Sequence, residues 1–363
     1  MNTAFVPTNL YNIAMPLVTG GYNIDDGLIF GLGVKYTHQG FRKLPYSSEH
    51  QLLAAHSFST KAYRVRYRGE WIQAAGKADI TMQALIKAPD NTQNYFGRGN
   101  TTEYVKTGDF KRYYRARFAI YQLDPAFRWR GNKAGSISIG PSFQYYTYDA
   151  DDNKNRFTED PSNIGSYDST TIEKAKGHGG IVLNFINDTR NNKLFPRWGS
   201  WVNVRVQGYK GLNSYSRDFA QVTAEVALYK PLNARQTVIV ANRLGGGVSF
   251  GKTTFYQSQF IGGHENLLGY RQYRFAGEHT MYNNFELRIK IADFASYLLP
   301  GQLGLNLFFD TGRVWEDGEH SHTWHNGVGG GIYFSPAQIT VIQLVMGYSR
   351  EGWYPYFTLG FRF

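Results

Sequence analysis

The chain has 363 residues, with 39 Lys plus Arg against 28 Asp plus Glu for a formal net charge of +11. It carries 27 Tyr, 25 Phe and 40 Gly but no Cys, which excludes a disulfide scaffold, a thiolate metal site and a Cys nucleophile. No apolar run approaches the roughly 18 residues of a membrane helix, and the wealth of aromatic and β-branched side chains excludes disorder. What remains is a large all-β protein, and the excess of Tyr and Phe over Leu and Ile favours a transmembrane β-barrel with aromatic girdles.

Residues 1–20 show neither a basic-then-apolar leader nor a small-residue cleavage site. The expectation is therefore a mature chain or an excised domain: 1–26 a short periplasmic segment, and 27–363 one transmembrane β-barrel domain with no Pro- or Ser-rich linker inside it. From there, ten-residue segments alternate apolar and polar side chains. Tyr63, Val65 and Tyr67 alternate with Arg64, Arg66 and Arg68; Tyr114, Ala116, Phe118 and Ile120 with Arg115 and Arg117; Val202, Val204 and Val206 with Asn203, Arg205 and Gln207. Phe285, Leu287, Ile289 and Ile291 alternate with Glu286, Arg288 and Lys290, and Ile342, Leu344, Met346 and Tyr348 with Gln343 and Gly347. In a barrel the apolar face meets lipid and the charged face lines a wet lumen.

The pattern predicts strands at 28–38, 49–59, 62–72, 78–88, 110–121, 123–131, 135–149, 176–187, 200–211, 217–229, 236–249, 280–291, 302–313, 324–335, 339–349 and 353–363. That is a 16-stranded antiparallel transmembrane β-barrel. With both termini in the periplasm, connections after odd strands face outward, among them the long segments 150–175 and 250–279. Asn132-Lys133 and Pro336-Ala337 read as short inward turns. Asn94 to Gly99 and Asp188 to Gly199 read as longer inward ones.

Catalytic chemistry finds little support. There is no Gly-x-Ser-x-Gly elbow, and Gly245-Gly246-Gly247 lies inside a strand rather than before a helix. Asp149, Asp151 and Asn153 have calcium-loop spacing, but Lys154 stands where the turn glycine belongs, so a polar loop is the better reading. His320, His322 and His325 share one outward loop without a supporting carboxylate pattern. The arginines alternate with lipid-facing aromatics instead of forming a basic patch, which argues for a cationic lumen and anionic lipid headgroups rather than nucleic acid. No cofactor, metal or enzymatic activity is expected.

The end of the chain carries a resemblance. Phe357, Leu359, Phe361 and Phe363 share one face of the last strand and Thr358, Gly360 and Arg362 the other; an alternating strand ending on Phe resembles the sorting signal of bacterial outer-membrane barrels. From about 180 to 363 the chain resembles the BamA/TamA superfamily of outer-membrane assembly and translocation proteins, and looks closer to a short branch without periplasmic repeats, or to the C-terminal barrel of a phosphoesterase-linked member, than to the central assembly protein. Asp188, Arg190, Phe195, Pro196 and Gly199 look like that family's periplasmic turn. Gly262, Gly263, Leu268, Gly269 and Tyr270 look like its sixth extracellular loop, which folds into the lumen. Asn283 to Arg288, Phe308 to Trp315 and Gly327 to Ile332 match the strands that follow.

Two departures stand out. Periplasmic repeats are absent from the 363 residues, and Leu268 occupies the tip position where the family carries Arg. In the family that Arg bonds lumenal acids, by position Glu286 and Asp310 here. Buried carboxylates seek cations, so Arg271 and Arg274, just past the tip, are expected to replace it. The resemblance also implies a first and last strand that pair weakly. Gly27, Gly31 and Gly33 in the first strand and Gly360 in the last would weaken such a seam.

Three functions follow in order of support. The first is insertion, assembly or translocation of client outer-membrane or surface proteins through the seam. The second is an anchor or conduit for a periplasmic, phosphoesterase-like domain or partner; the third is a passive anion-preferring porin. Expected partners are outer-membrane lipids including lipopolysaccharide, client proteins, and accessory lipoproteins or a periplasmic domain.

Overall fold

The computed structural model describes residues 11–41, 43–131, 134–294, 300–337 and 339–363. The Asn132-Lys133 turn and the first ten residues of the expected N-terminal segment lie outside the described residues. The first nine strands are β1 (Ile13–Asn23), β2 (Gly27–His38), β3 (Ser48–Ser57), β4 (Tyr63–Ala75), β5 (Ala78–Asn94), β6 (Arg115–Arg130), β7 (Gly135–Thr147), β8 (Lys176–Asp188) and β9 (Gly199–Gly211). Then come β10 (Phe219–Pro231), β11 (Val238–Gly251), a short pair β12 (Gln259–Ile261) and β13 (Phe275–Gly277), and β14 (His279–Phe294). The last four are β15 (Gly301–Trp315), β16 (His325–Pro336), β17 (Ile342–Ser349) and β18 (Gly352–Leu359). All but β12 and β13 form one closed antiparallel barrel of sixteen strands, in which β11 pairs with β14 and β1 with β18.

The burial pattern is inverted relative to a water-soluble fold. On β14, Met281, Phe285 and Ile291 are exposed on the outer wall, while Asn284, Glu286 and Arg288 are buried inside. Leu228, Leu244, Ile332, Leu344 and Trp353 likewise point outward. Apolar-out and polar-in is the arrangement lipid demands of a barrel, whose ladder pairs the backbone groups of each wall strand with its neighbours, the short β1–β18 joint excepted.

The count of sixteen agrees with the sequence reading, but two of its assignments do not. Segment 1–26, expected to lie outside the barrel, contains β1, which pairs along its full length with β2 from Ile13–Thr37 to Asn23–Gly27. Pro16 and Gly20-Gly21 interrupt its alternation, and both residue types argue against a strand except at an edge. Conversely, the expected strands 110–121 and 123–131 merge into one, β6, which begins only at Arg115 because Phe110–Tyr113 form a short helix; Pro125 interrupts its register on β7 between Leu123 and Phe127 without ending it.

The two errors cancel in number but reverse the side of each of the four connections from β2 to β6. The Asn94 to Gly99 connection, expected inward, lies at the far end of the barrel among the long loops. There the Tyr95 hydroxyl bonds Ile164 O, and Arg98 donates to Thr253 at 3.0 Å. Tyr95, Phe118, Tyr146, Ile164 and Phe255 form the apolar core beneath those loops. Lys176, buried on Asp168 at 3.0 Å, ties the 148–175 loop down. In that loop Asn153 donates to Arg117 O and Asp149 O, each at 2.8 Å. His325 bonds Asn100 O at 2.9 Å and stacks on Phe275. Among the described residues no group of His, Asp and Glu is arranged to hold a metal.

Candidate functional site

Sequence places three glycines where the loop between β11 and β14 bends. Gly262, Gly263 and Gly269 all have positive φ. At Gly269 a Cβ would stand 2.9 Å from the Tyr348 backbone, so only glycine lets the loop sit this close to β17. The tip runs along inward-facing side chains: Leu268 N donates to Asp310 Oδ2 at 2.8 Å and Gly269 N to the Tyr356 hydroxyl at 3.2 Å. Tyr356 in turn donates to Tyr270 O at 3.1 Å.

The expected cation pairing differs. Arg271 binds Asp25 at 2.7 Å, in the turn after β1, and Arg274 binds Glu351 at 2.6 Å; neither has a hydrogen bond or ion pair to Glu286 or Asp310. Those acids are held from another direction. Arg362 donates to Glu286 Oε1 at 2.9 Å and to both oxygens of Asp310 at 2.7 and 3.0 Å. Arg288 donates to Glu286 Oε2 at 3.0 and 2.7 Å. Glu286, Asp310 and Arg288 are at most 1 % exposed, so each carboxylate needs this full set of donors to stay charged.

Arg362 reaches them because the chain end leaves the wall. β18 stops at Leu359, Gly360 takes φ +106°, and the last three residues turn into the lumen. This corrects the expectation that Phe361 and Phe363 face lipid with Phe357 and Leu359. Phe361 lies edge-on to Phe195 and Tyr333, with the Arg288 guanidinium 3.8 Å from its ring centre. Phe363 packs with Tyr229, Ala227 and Ala241, under Arg243, and its terminal oxygen accepts from Arg288 at 3.0 Å. The socket closes on the turn between β8 and β9. There Arg190 holds Asp188 by two bonds of 2.9 Å, and Pro196 and Gly199 (φ +108°) let the turn deliver Phe195 to the barrel mouth.

Tail geometry dictates seam geometry. β1 pairs with β18 only at Gly21–Thr358 and Tyr22–Phe357, and among the described residues Ile13 to Gly20 have no partner on that side. Gly27, Gly31 and Gly33 are one strand away, on β2. Gly31 and Gly33 serve close packing, since a Cβ at Gly33 would lie 2.1 Å from Leu52 O. The seam glycines are Gly20 and Gly21, and Gly360 acts as the hinge that ends β18. Sequence reasoning passed over Arg362; its signal was a lone cation between two Phe immediately after a glycine.

The Omp85 superfamily domain matches residues 90–339. The chain belongs to that superfamily. As an Omp85 barrel it resides in the bacterial outer membrane. No curated protein matches it. Among solved structures, BamA from Haemophilus ducreyi lacking POTRA domains 1-3 is similar over 96% of this chain and 70% of that one, at 12% identity and a TM-score of 0.68. CdiB from Acinetobacter baumannii (11% identity, TM-score 0.56) and CdiB from Escherichia coli (10%, 0.59) are similar over 96% and 98% of this chain. This Omp85 chain spans 59% and 64% of those two, less than two thirds of either. These likenesses establish the fold.

Proposed function

We propose that this barrel inserts, assembles or translocates outer-membrane or surface proteins through the β1–β18 seam. The observation that carries the reading is the free edge of β1 from Ile13 to Gly20, beside a last strand cut short by its inward tail. An unpaired edge presents N–H and C=O groups that an incoming extended segment can bond as an added strand. Two ladder pairs are a small barrier to parting, whereas every other joint would have to surrender at least seven. Nothing in this mechanism needs a cofactor or a catalytic side chain; the barrel supplies a template and a wet, charged lumen next to lipid. Clients, with accessory lipoproteins or a periplasmic domain to deliver them and lipopolysaccharide around the wall, are the partners this reading calls for.

A disulfide tests it. Tyr22→Cys with Phe357→Cys joins the paired residues of the seam in a chain with no other Cys. Locked, the barrel should lose assembly or translocation of its client, and reduction should restore it. A locked barrel that works as well as the free one would overturn the reading in favour of an anchor or passive pore.

A further inference from the structure

Inward-facing cations in this lumen are generally neutralised one by one. Arg128 holds Glu70 at 2.6 Å, Arg205 holds Asp124 at 3.2 Å, and Arg288 and Arg362 share Glu286 and Asp310. One sector breaks the rule. On β4, Arg64, Arg66 and Arg68 stand at alternate positions of the inner face, since their neighbours Tyr63 and Ile86 are exposed on the outer one. Lys87 follows Ile86 on β5, which sets it beside Arg64 across the strand pair. Among the described residues none of these four has an ion pair or a hydrogen bond to a carboxylate.

Like charges at neighbouring positions of a sheet repel. Their acidic neighbours do not cancel them. Asp25 is taken by Arg271 at 2.7 Å, and Arg115 reaches only its backbone oxygen. Asp26 accepts from Asn23 at 3.0 Å, and Glu265 of the inward loop lies near Arg66 and Lys87 but forms no ion pair among the described residues. Arg64, Arg66 and Lys87 facing these two carboxylates leave one positive charge over, in a sector where lipid lies just outside the wall.

A cavity of about 300 Å³ is lined by Arg64 and Lys87 of this group, by Arg115, and by Asp25, Asp26 and Glu265, and its lining shows how a ligand would enter. Gly21 and Tyr22 of β1 and Phe357 and Leu359 of β18 form one side, with Arg64 and Lys87 among the polar groups inside. It therefore joins the weakest joint of the barrel, with apolar side chains at its rim, to the unneutralised cations. We propose that Arg64 and Lys87, with Arg66 next along the inner face of β4, form a lumenal binding site for a phosphate-bearing anion, entered from the seam. Guanidinium groups suit phosphate because their planar forks donate two parallel hydrogen bonds, while Lys87 adds a mobile point charge. The apolar rim fits the glycerol end and acyl chains of a lipid whose headgroup lies inside; a free phosphate would use the same cations without the rim. The site stands whether or not the seam handles client proteins.

The test uses the full chain in neutral detergent, with short-chain phosphatidylglycerol and inorganic pyrophosphate as separate probes in titration calorimetry. Phosphatidylglycerol should bind, and Arg64→Gln with Lys87→Gln should weaken it at least about tenfold, while Arg64→Lys with Lys87→Arg should bind nearly as the parent does. Slower gel mobility after boiling than before reports whether each variant is folded. If the glutamine variant does not fold, the parent itself decides: raising NaCl from about 0.05 to about 0.3 M should weaken binding about tenfold, as screening of a charged site requires. Pyrophosphate binding that the glutamine variant abolishes assigns the site to free anions, and lipid binding without pyrophosphate binding assigns it to headgroups. Failure of both probes, or binding unchanged in the folded glutamine variant, or binding by the parent unaffected by salt, overturns the proposal.

Discussion

Two joints of the same barrel are built to opposite specifications. β10 and β11 pair continuously from Phe219–Gly251 to Pro231–Ile239, with Val226 and Leu244 to lipid and Glu225 and Ala241 within. β1 and β18 meet at two positions only. The difference does not come from β1, whose other edge is fully paired with β2. It arises where β18 surrenders its last residues to the lumen, exchanging wall hydrogen bonds for charge-assisted ones from Arg362 to Glu286 and Asp310. Carrying the Gly21–Thr358 register onward would set Val18 opposite Phe361 and return Phe361 and Phe363 to the lipid face. The tail therefore has two competing berths, and the carboxylate pair decides between them.

The largest expected effect breaks the comparison at that pair. Arg362→Met leaves two buried carboxylates short of a cation, which should cost about 3–5 kcal/mol. Urea unfolding followed by the shift in gel mobility should show a clearly lower midpoint than the parent; an unchanged midpoint would mean the tail is not held by charge. Next in size is Gly269→Val, where a Cβ would crowd Tyr348 in a backbone with φ +89°. It should lose about 1–3 kcal/mol, and limited proteolysis should cut within 262–274 before it cuts the wall. Equal resistance to protease would show that the loop tip is not tied to β17.

How much of this was legible in the sequence depends on the reach of each signal. Alternation is local, so β14, β15 and the acids Glu286 and Asp310 on the inner face could be read from the chain. β1 hid behind Pro16 and Gly20-Gly21, because an edge strand tolerates what a central strand does not. Phe361 and Phe363 alternate as lipid-facing residues should, and nothing local distinguishes a continuing strand from one that Gly360 turns inward. Beside Arg288 on its own strand, Glu286 takes Arg362 from 76 residues away along the chain, a pairing that strand period alone cannot specify.

A smaller effect sharpens the contrast between the two ends of the barrel. At the far end Glu316, after β15, has its carboxyl pushed up to about 7 by burial, against the pull of Arg98 at 3.3 Å. Its protonated form is the one the fold favours, so the cost of ionising it is absent below its ordinary 4.5 and complete above about 7. Far-end loops should therefore tighten as pH falls through 7, seen as slower proteolysis of 316–324, while the tail socket stays unchanged. Glu316→Gln should flatten that pH dependence; a profile that keeps its slope in the variant would assign the effect to another group.

Amide hydrogen exchange of the barrel in lipid nanodiscs measures the central contrast directly. Exchange opens a joint at the free energy its own ladder supplies, so those amides of Ile13 to Gly20 that point to the seam rather than to β2 should exchange much faster than the amides of Val222 to Tyr229 of β10. Protection of β1 equal to that of β10 would mean the seam is as closed as the wall and would contradict the account.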